Sequence, residues 1–259
     1  MSRAVDRARA LTRTMLLRTA RDVSDTVASG SALVIAPHPD DETLGCGATI
    51  LRKVAAGARV TVLVVTDGRH SHHSPSLPPE RLAALREVEM AEAVARLGLA
   101  PADLRWGGLV DGTVTDNAVQ LRKILEDVLD AVQPDEIYAT CAADPHPDHA
   151  AVGHAARQVL RPGTVLYEYP VWLWTTWPLS PGNRLGSVGA AARLALGRRT
   201  VRVRTGEYLS PKLHALDAHQ SQLARPAGVA VEEDWPVLPG PVLAAASGPA
   251  ELFFTGATR

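Results

Sequence analysis

Residues 38–42, His-Pro-Asp-Asp-Glu, set one imidazole and three carboxylates within five positions, directly after the apolar run 31–36. Carboxylates gathered at the end of a buried strand repel one another and lose hydration. A bound cation resolves both costs, and a histidine with an aspartate three positions on is a suitable bite for Zn²⁺. A second group follows the run 136–141: Asp144, His146, Asp148 and His149 in DPHPDH. Either stretch alone also reads as a turn that caps a helix, with Asp41 or Thr43 as the first cap. Two such stretches, each behind an apolar run, point instead to one shared crevice.

The elements that must carry these groups alternate regularly. Strand-like runs lie at 31–36, 60–65, 136–141 and 164–169, with a weaker one at 201–204. Helical patterns occupy 43–57, 79–98, 117–132 and 149–160, and Gly57 and Gly98 suit helix ends. The first two strands are near-continuous and rich in β-branched residues, as expected when both sheet faces are covered. The expectation is a Rossmann-like α/β fold, a mostly parallel sheet with helices on both faces. Right-handed crossovers put both acidic stretches on one edge of that sheet, at the carboxyl ends of strands, where ligands bind.

Residues 170–200 break the rhythm with Trp172, Trp174 and Trp177 and a run of small residues, read as an insertion with a helix over 187–196. One further helix is expected from Glu207 through Gln222, then an irregular Pro/Gly-rich tail over 225–250. The whole chain, 1–259, reads as one domain led by a helix over about 3–21.

With a formal charge of −1 and 46% apolar residues, the chain has a sizeable core and no basic excess for nucleic acid. Cys46 and Cys141 cannot build a disulfide framework and read as reduced thiols of a cytoplasmic protein. No apolar window is long enough for a transmembrane segment. The arginines of 3–21 alternate with apolar residues, so this helix packs on the domain or, as the weaker reading, touches an anionic membrane surface. A homo-oligomer is compatible with the sequence.

The motifs APHPDDETLGCG (36–47) and DPHPDHAAVG (144–153) resemble those of the PIG-L/LmbE-like family of zinc-dependent N-deacetylases. TDG at 66–68, REVEMAEAVARLG at 86–98, Val110-Asp111-Gly112 and KLHALDAHQSQ at 212–222 resemble its supporting elements, so the likeness spans about 31–225. It implies that His38, Asp41 and His149 hold Zn²⁺ (Fe²⁺ also suits such a set) with one coordination position open. It implies Asp40 as general base and His146, as imidazolium, as stabiliser of the oxyanion. Asp148 would orient or charge His146, and Glu42 would bond the turn backbone.

Arg86 and Asp111 match residues that bind substrate, although Arg86 and Glu89, three apart on a helix, also read as a surface pair. His219 reads as a structural helix histidine. The loop 69–75, with His70, His72 and His73, reads as a mobile rim near the pocket rather than a metal site. The tryptophans either wall the substrate or pack the insertion. Asp144 stands where some thiol-pathway members carry a tyrosine.

The implied activity is hydrolysis of an acetamide on an N-acetylglucosamine-containing small molecule or glycoconjugate, with Asp40 taking water's proton and returning it to the amine. The alternatives are a zinc amidase or deacylase acting on a thiol conjugate, an antibiotic or a lipid-linked sugar, and a non-catalytic nucleotide- or metal-binding module. A phosphate-binding turn would need glycines where this chain has acids.

Overall fold

The computed structural model describes residues 3–177 and 199–256. Its elements run α1 (Arg3–Thr19), β1 (Arg21–Asp22), β2 (Ala32–Ala36), α2 (Asp41–Ala55), β3 (Val60–Thr66), α3 (Pro79–Arg96), β4 (Leu104–Leu109) and α4 (Ala118–Val132). There follow β5 (Glu136–Thr140), α5 (Pro147–Gln158), β6 (Val165–Tyr169), α6 (Leu173–Thr176), β7 (Arg199–Arg204), α7 (Leu209–Leu216), α8 (Gln220–Leu223), α9 (Gly240–Ala246) and β8 (Ala250–Thr255).

The strands form one sheet in the order β1-β7-β8-β6-β5-β2-β3-β4. β2 pairs in parallel with β3 on one side and β5 on the other, Ala32 lying opposite Val60 and Glu136. Only β8 runs against its neighbours, β6 and β7. From β2 the chain builds outward through β3 and β4, then returns to build the other way through β5 and β6. The strand order therefore reverses between β2 and β5, and the carboxyl ends of these two strands flank the crevice where an open α/β sheet binds ligands.

Successive side chains of β2 point to opposite faces. Ala32, Val34 and Ala36 enter a core with Leu44 and Ile50 of α2, Met90 and Val94 of α3, and Ala215 of α7. Leu33 and Ile35 enter a second core with Leu121, Leu125 and Leu129 of α4 and Val152 and Ala156 of α5. With apolar contacts on both faces, β2 and β5 are buried at every position.

α1 lies on a smaller cluster, where Leu16 and Ala20 meet Leu173, Trp174, Trp177 and Phe254. Trp174 and Trp177 thus pack the fold. The expected helix over 187–196 lies outside the described residues. The tail is less irregular than its composition suggests, since it holds α9, and the stretch to Gln222 is two short helices broken at 217–219. Among the described residues no helix is long and apolar enough to cross a membrane.

α2 carries the first motif, and buried polar contacts fix its position. Glu251 of β8 accepts hydrogen bonds from the backbone of Ala48 and Thr49, at 2.8 and 2.9 Å, and from Thr49 Oγ1. Lys212 of α7 pairs with Glu251 at 2.8 Å and donates to Leu44 O at 3.0 Å. α5, which carries the second motif, lies directly on the end of β5: a Cβ on Gly153 would meet Thr140 O and Ala142 N at 2.5 Å.

Candidate active site

The turn 37–40 leads from β2 into α2. Thr66 of β3 donates through its backbone N–H and its hydroxyl to Pro37 O, at 3.0 and 2.9 Å. Asp41 opens α2, and its Oδ2 accepts the backbone N–H of His38 at 2.9 Å. Thr140 Oγ1, at the end of β5, donates to His149 O of α5 at 2.9 Å. Asp144 accepts the N–H groups of His146, Val171 and Leu173, each at 3.1 Å, and so fixes the loop after β5.

These turns bring three atoms together. His38 Nδ1 lies 3.2 Å from His149 Nε2 and 3.4 Å from Asp41 Oδ2, and His149 Nε2 lies 3.3 Å from Asp41 Oδ2. Three ligands of a tetrahedral zinc, each about 2.0–2.1 Å from the ion, stand roughly 3.3–3.4 Å apart. The far nitrogen of each imidazole faces a carboxylate. His38 Nε2 is 3.0 Å from Asp111 Oδ1 and 3.3 Å from Asp148 Oδ2, and His149 Nδ1 is 3.7 Å from Asp144 Oδ1. At His38 such carboxylates hold a proton on the far nitrogen and turn the other lone pair inward, whereas Asp144 acts on His149 through its charge.

The electrostatics fit a missing positive charge. Burial opposes charging His38, yet Asp111, Asp148 and Asp41 together raise it well above the usual histidine value. His149 is also raised, burial being outweighed by Asp41 and Asp144. Burial pushes Asp41 up, but His149 and His38 hold it far below the usual carboxylate range. For Asp111 the outcome is about 2, again against burial and through His38. The set retains protons where a divalent ion would displace them, so these residues fit a metal in both spacing and donor chemistry. His146 and, on the other side, Asp111 with Asp148 also stand within ligand range of His38.

Asp40 adjoins this triangle. Its backbone has φ 136°, a conformation that L residues rarely adopt. Glu42 accepts the Asp40 N–H at 3.1 Å, the bond to the turn backbone expected of it. His219 Nε2 stands 3.4 Å behind Glu42 Oε1. Burial drives the Asp40 carboxyl up to about 7, with Arg86 acting in the opposite sense.

Arg86 is buried at 2% exposure. Its Nη2 donates to Pro39 O and to Asp40 Oδ2, the latter at 3.2 Å, and its Nη1 donates to Gly68 O at 3.2 Å. Gly68, at φ 67°, lets the guanidinium lie against its Cα. Glu89 does not pair with Arg86 and instead accepts from Ser221 N and Oγ, both at 2.7 Å. The surface-pair reading is therefore set aside.

Asp148 makes no hydrogen bond to His146, although its charge favours the imidazolium. It reaches His38 Nε2 and accepts the backbone N–H groups of Gly112 and Val114, at 2.8 and 3.3 Å. Burial first, then the positive fields of His149 and His38, lower the His146 imidazole to about 4. Asp111, beyond facing the cleft, accepts the His70 N–H at 3.0 Å. The 69–75 loop is tied down rather than loose. His70 Nδ1 bonds Asp111 O at 2.8 Å, and the His72 ring stacks on Trp235 at 3.9 Å. His219 sits at the break between α7 and α8, not within a helix.

A cleft of about 350 Å³ opens over these groups, within the size range of small-molecule sites. His38, Asp40, Asp41, Arg86, Asp111 and His146 all line it.

Residues 33–160 match the family model described as PIG-L: GlcNAc-PI de-N-acetylase. The chain is 30% identical over 204 residues to a Bacillus anthracis protein named probable N-acetyl-alpha-D-glucosaminyl L-malate deacetylase 2, covering 74% of this chain and 81% of that one. This chain belongs to the PIG-L family.

Another relative is a 1D-myo-inositol 2-acetamido-2-deoxy-alpha-D-glucopyranoside deacetylase of Actinosynnema mirum, 27% identical over 85% of this chain and 93% of that one. Among solved structures, N,N'-diacetylchitobiose deacetylase from Pyrococcus horikoshii superposes with a TM-score of 0.61 at 23% identity, covering 87% of this chain and 82% of that one. That likeness is one of fold. The stretch matched by the PIG-L model ends just beyond α5, so it contains every residue of the metal-like triangle and Asp40, Arg86, Asp111 and His146 besides.

Proposed function

We propose that this PIG-L-family chain is a metal-dependent hydrolase that removes the acetyl group from an N-acetylglucosamine-containing small molecule or glycoconjugate. The observation that carries this reading is the 3.2–3.4 Å triangle of His38, Asp41 and His149 with an unliganded carboxylate, Asp40, beside it. The relatives' names supply the amino sugar; the cleft supplies the chemistry.

His38 Nδ1, Asp41 Oδ2 and His149 Nε2 would hold the metal, with zinc the ion best suited to two imidazoles and a carboxylate and Fe²⁺ the alternative. When bound, it supplies Lewis-acid activation of water and of the acetamide carbonyl. Asp40 exchanges the proton. Arg86 occupies its Oδ2, which leaves Oδ1 to take a proton from the attacking water and deliver it to the departing nitrogen. A carboxyl raised by burial and restrained by Arg86 can do both. His146 donates a ring N–H towards the developing oxyanion, a contact of the kind worth about 3–4 kcal/mol. Asp111 and the backbone around Gly112 receive sugar hydroxyls.

The test is acetate release from a panel of N-acetylated amino sugars by zinc-loaded protein. The expected result is release by the wild type that disappears on chelation and in Asp40→Asn. A protein that binds no metal, or a panel that yields no acetate, overturns the reading.

A further inference from the structure

We infer that the cleft selects an amino sugar whose aglycone is uncharged and apolar, of alkyl or aryl type, over one that carries a carboxylate or phosphate. The inference rests on the deacetylase reading and names the substrate class of that same site.

Charge is the first observation. Among the described residues that line the cleft, Arg86 is the one permanent cation, and Asp40, Pro39 O and Gly68 O already engage its guanidinium. Asp40, Asp41 and Asp111 face the same space. Among the described lining residues, an anionic substituent beyond the amide therefore meets Asp111 and no cation other than Arg86, whose two terminal nitrogens are engaged.

The second observation is an apolar rim held rigidly in place. Pro236, Val237 and Leu238 line the cleft, and Val237 is 47% exposed there. Leu238 N donates to Gln222 O at 2.9 Å, Pro236 O lies 2.6 Å from His72 Nε2, and Trp235 Nε1 donates to Ser221 O at 2.8 Å. His70, on the same loop as His72, is fastened to Asp111. The rim is tied through the His72 and His70 loop to Asp111, whereas the Trp172 ring lies 6.2 Å from His146, the group assigned to the scissile carbonyl. The apolar rim is placed for the far end of the substrate, not for the acyl group. A surface already ordered gains from apolar burial without a further ordering cost.

The experiment compares hexyl, methyl and malyl N-acetylglucosaminides as substrates of zinc-loaded protein, the malyl group being that of the Bacillus anthracis relative's name. The expected kcat/KM for the hexyl compound exceeds that of the methyl by about tenfold, as burial of two or so methylenes gives, with the malyl no better than the methyl. Val237→Lys should narrow the gap by raising the malyl compound and lowering the hexyl. A malyl preference overturns the inference, as does equal use of all three. Preference for a hexanoyl amide over the hexyl acetamide also overturns it, since the apolar group would then sit on the acyl side.

Binding of the three deacetylated glucosaminides, read by calorimetry, separates the two levels of the argument. If no compound releases acetate, the deacetylase reading fails. About tenfold tighter binding of hexyl than malyl glucosaminide still supports the apolar rim, and equal or reversed affinities overturn it.

Discussion

His38 Nδ1 and His149 Nε2 lie 3.2 Å apart across 111 positions of chain, with a carboxylate at the far nitrogen of each ring. Two lone pairs turned towards each other and towards Asp41 need a positive charge between them. In the metal-free protein Asp111, Asp148 and Asp41 favour a protonated His38, and Asp41 and Asp144 a protonated His149, in both cases against burial. These protonated pairs stabilise the fold fully below the unfolded histidine value of about 6.5, and the contribution is lost as pH rises through the raised folded values. A divalent ion takes over from the protons and releases them. Zinc should therefore raise the melting temperature of chelator-treated protein, more at pH 8 than at pH 6, with a stabilisation of about 4 kcal/mol once zinc is a thousandfold above its Kd. His149→Ala should abolish that rise. Calorimetry with and without zinc checks this, and a wild-type transition indifferent to zinc contradicts the ligand set.

Asp148 and His146 are two residues apart but should fail differently when altered. Asp148 acts on the metal through His38, so Asp148→Asn should weaken zinc binding by about 10–100-fold, the usual loss for a carboxylate behind a metal-bound imidazole. His146 is assigned to the oxyanion, so His146→Ala should lower kcat by about 10²–10³-fold and leave zinc affinity close to wild type. Competition with a chromophoric chelator measures one quantity and steady-state kinetics the other. Equal loss of metal in both variants would mean that His146 is a ligand.

Asp40 should trade stability for chemistry. Its folded value of about 7 stands above the unfolded carboxylate value, so ionisation opposes folding once pH rises past that unfolded value, up to the full cost above 7. Asp40→Asn keeps the side-chain shape and tolerates the positive φ. In metal-free protein the variant should melt higher than wild type at pH 8, with little difference at pH 4, and in zinc-loaded protein it should lose about 10²–10⁴ in kcat. A variant that melts lower at pH 8 would show that the Arg86 pair outweighs burial.

The frame and the crevice were legible because their signals are local and strong. β2, β3, β5 and β6 are apolar runs buried along nearly their whole length, and they fall within a residue or so of the expected 31–36, 60–65, 136–141 and 164–169. β4 escaped notice because Leu104–Leu109 contains two glycines and buries only its last residue, so the alternation that marks a strand is absent. β8 escaped because its antiparallel place between β6 and β7 depends on partners more than forty residues upstream. At the site, residue types and spacing were enough to expect the two acidic–imidazole stretches in one crevice, and the family resemblance singled out His38, Asp41 and His149 within them. Types and spacing were not enough to say that Asp148 serves His38, because that contact depends on where the 111–114 loop runs. Nor does a sequence reveal burial, which lowers the His146 imidazole and makes Arg86 a partner of Asp40.

That partnership gives Arg86 a signature of its own. Its Nη2 lies 3.2 Å from Asp40 Oδ2, and its charge is the largest influence opposing the burial that raises Asp40. Deprotonated Asp40 is the form that accepts water's proton, so kcat/KM should rise with pH through the Asp40 value and then level off. Arg86→Gln removes the cation, raises the Asp40 value further and moves the acid limb to higher pH. Below the limb, activity should fall about tenfold for each unit of that displacement. Arg86→Lys keeps the charge and should leave the limb close to its wild-type position. If Arg86 served only to grip a sugar hydroxyl, Arg86→Gln would lower kcat/KM by one factor at every pH and the limb would stay in place.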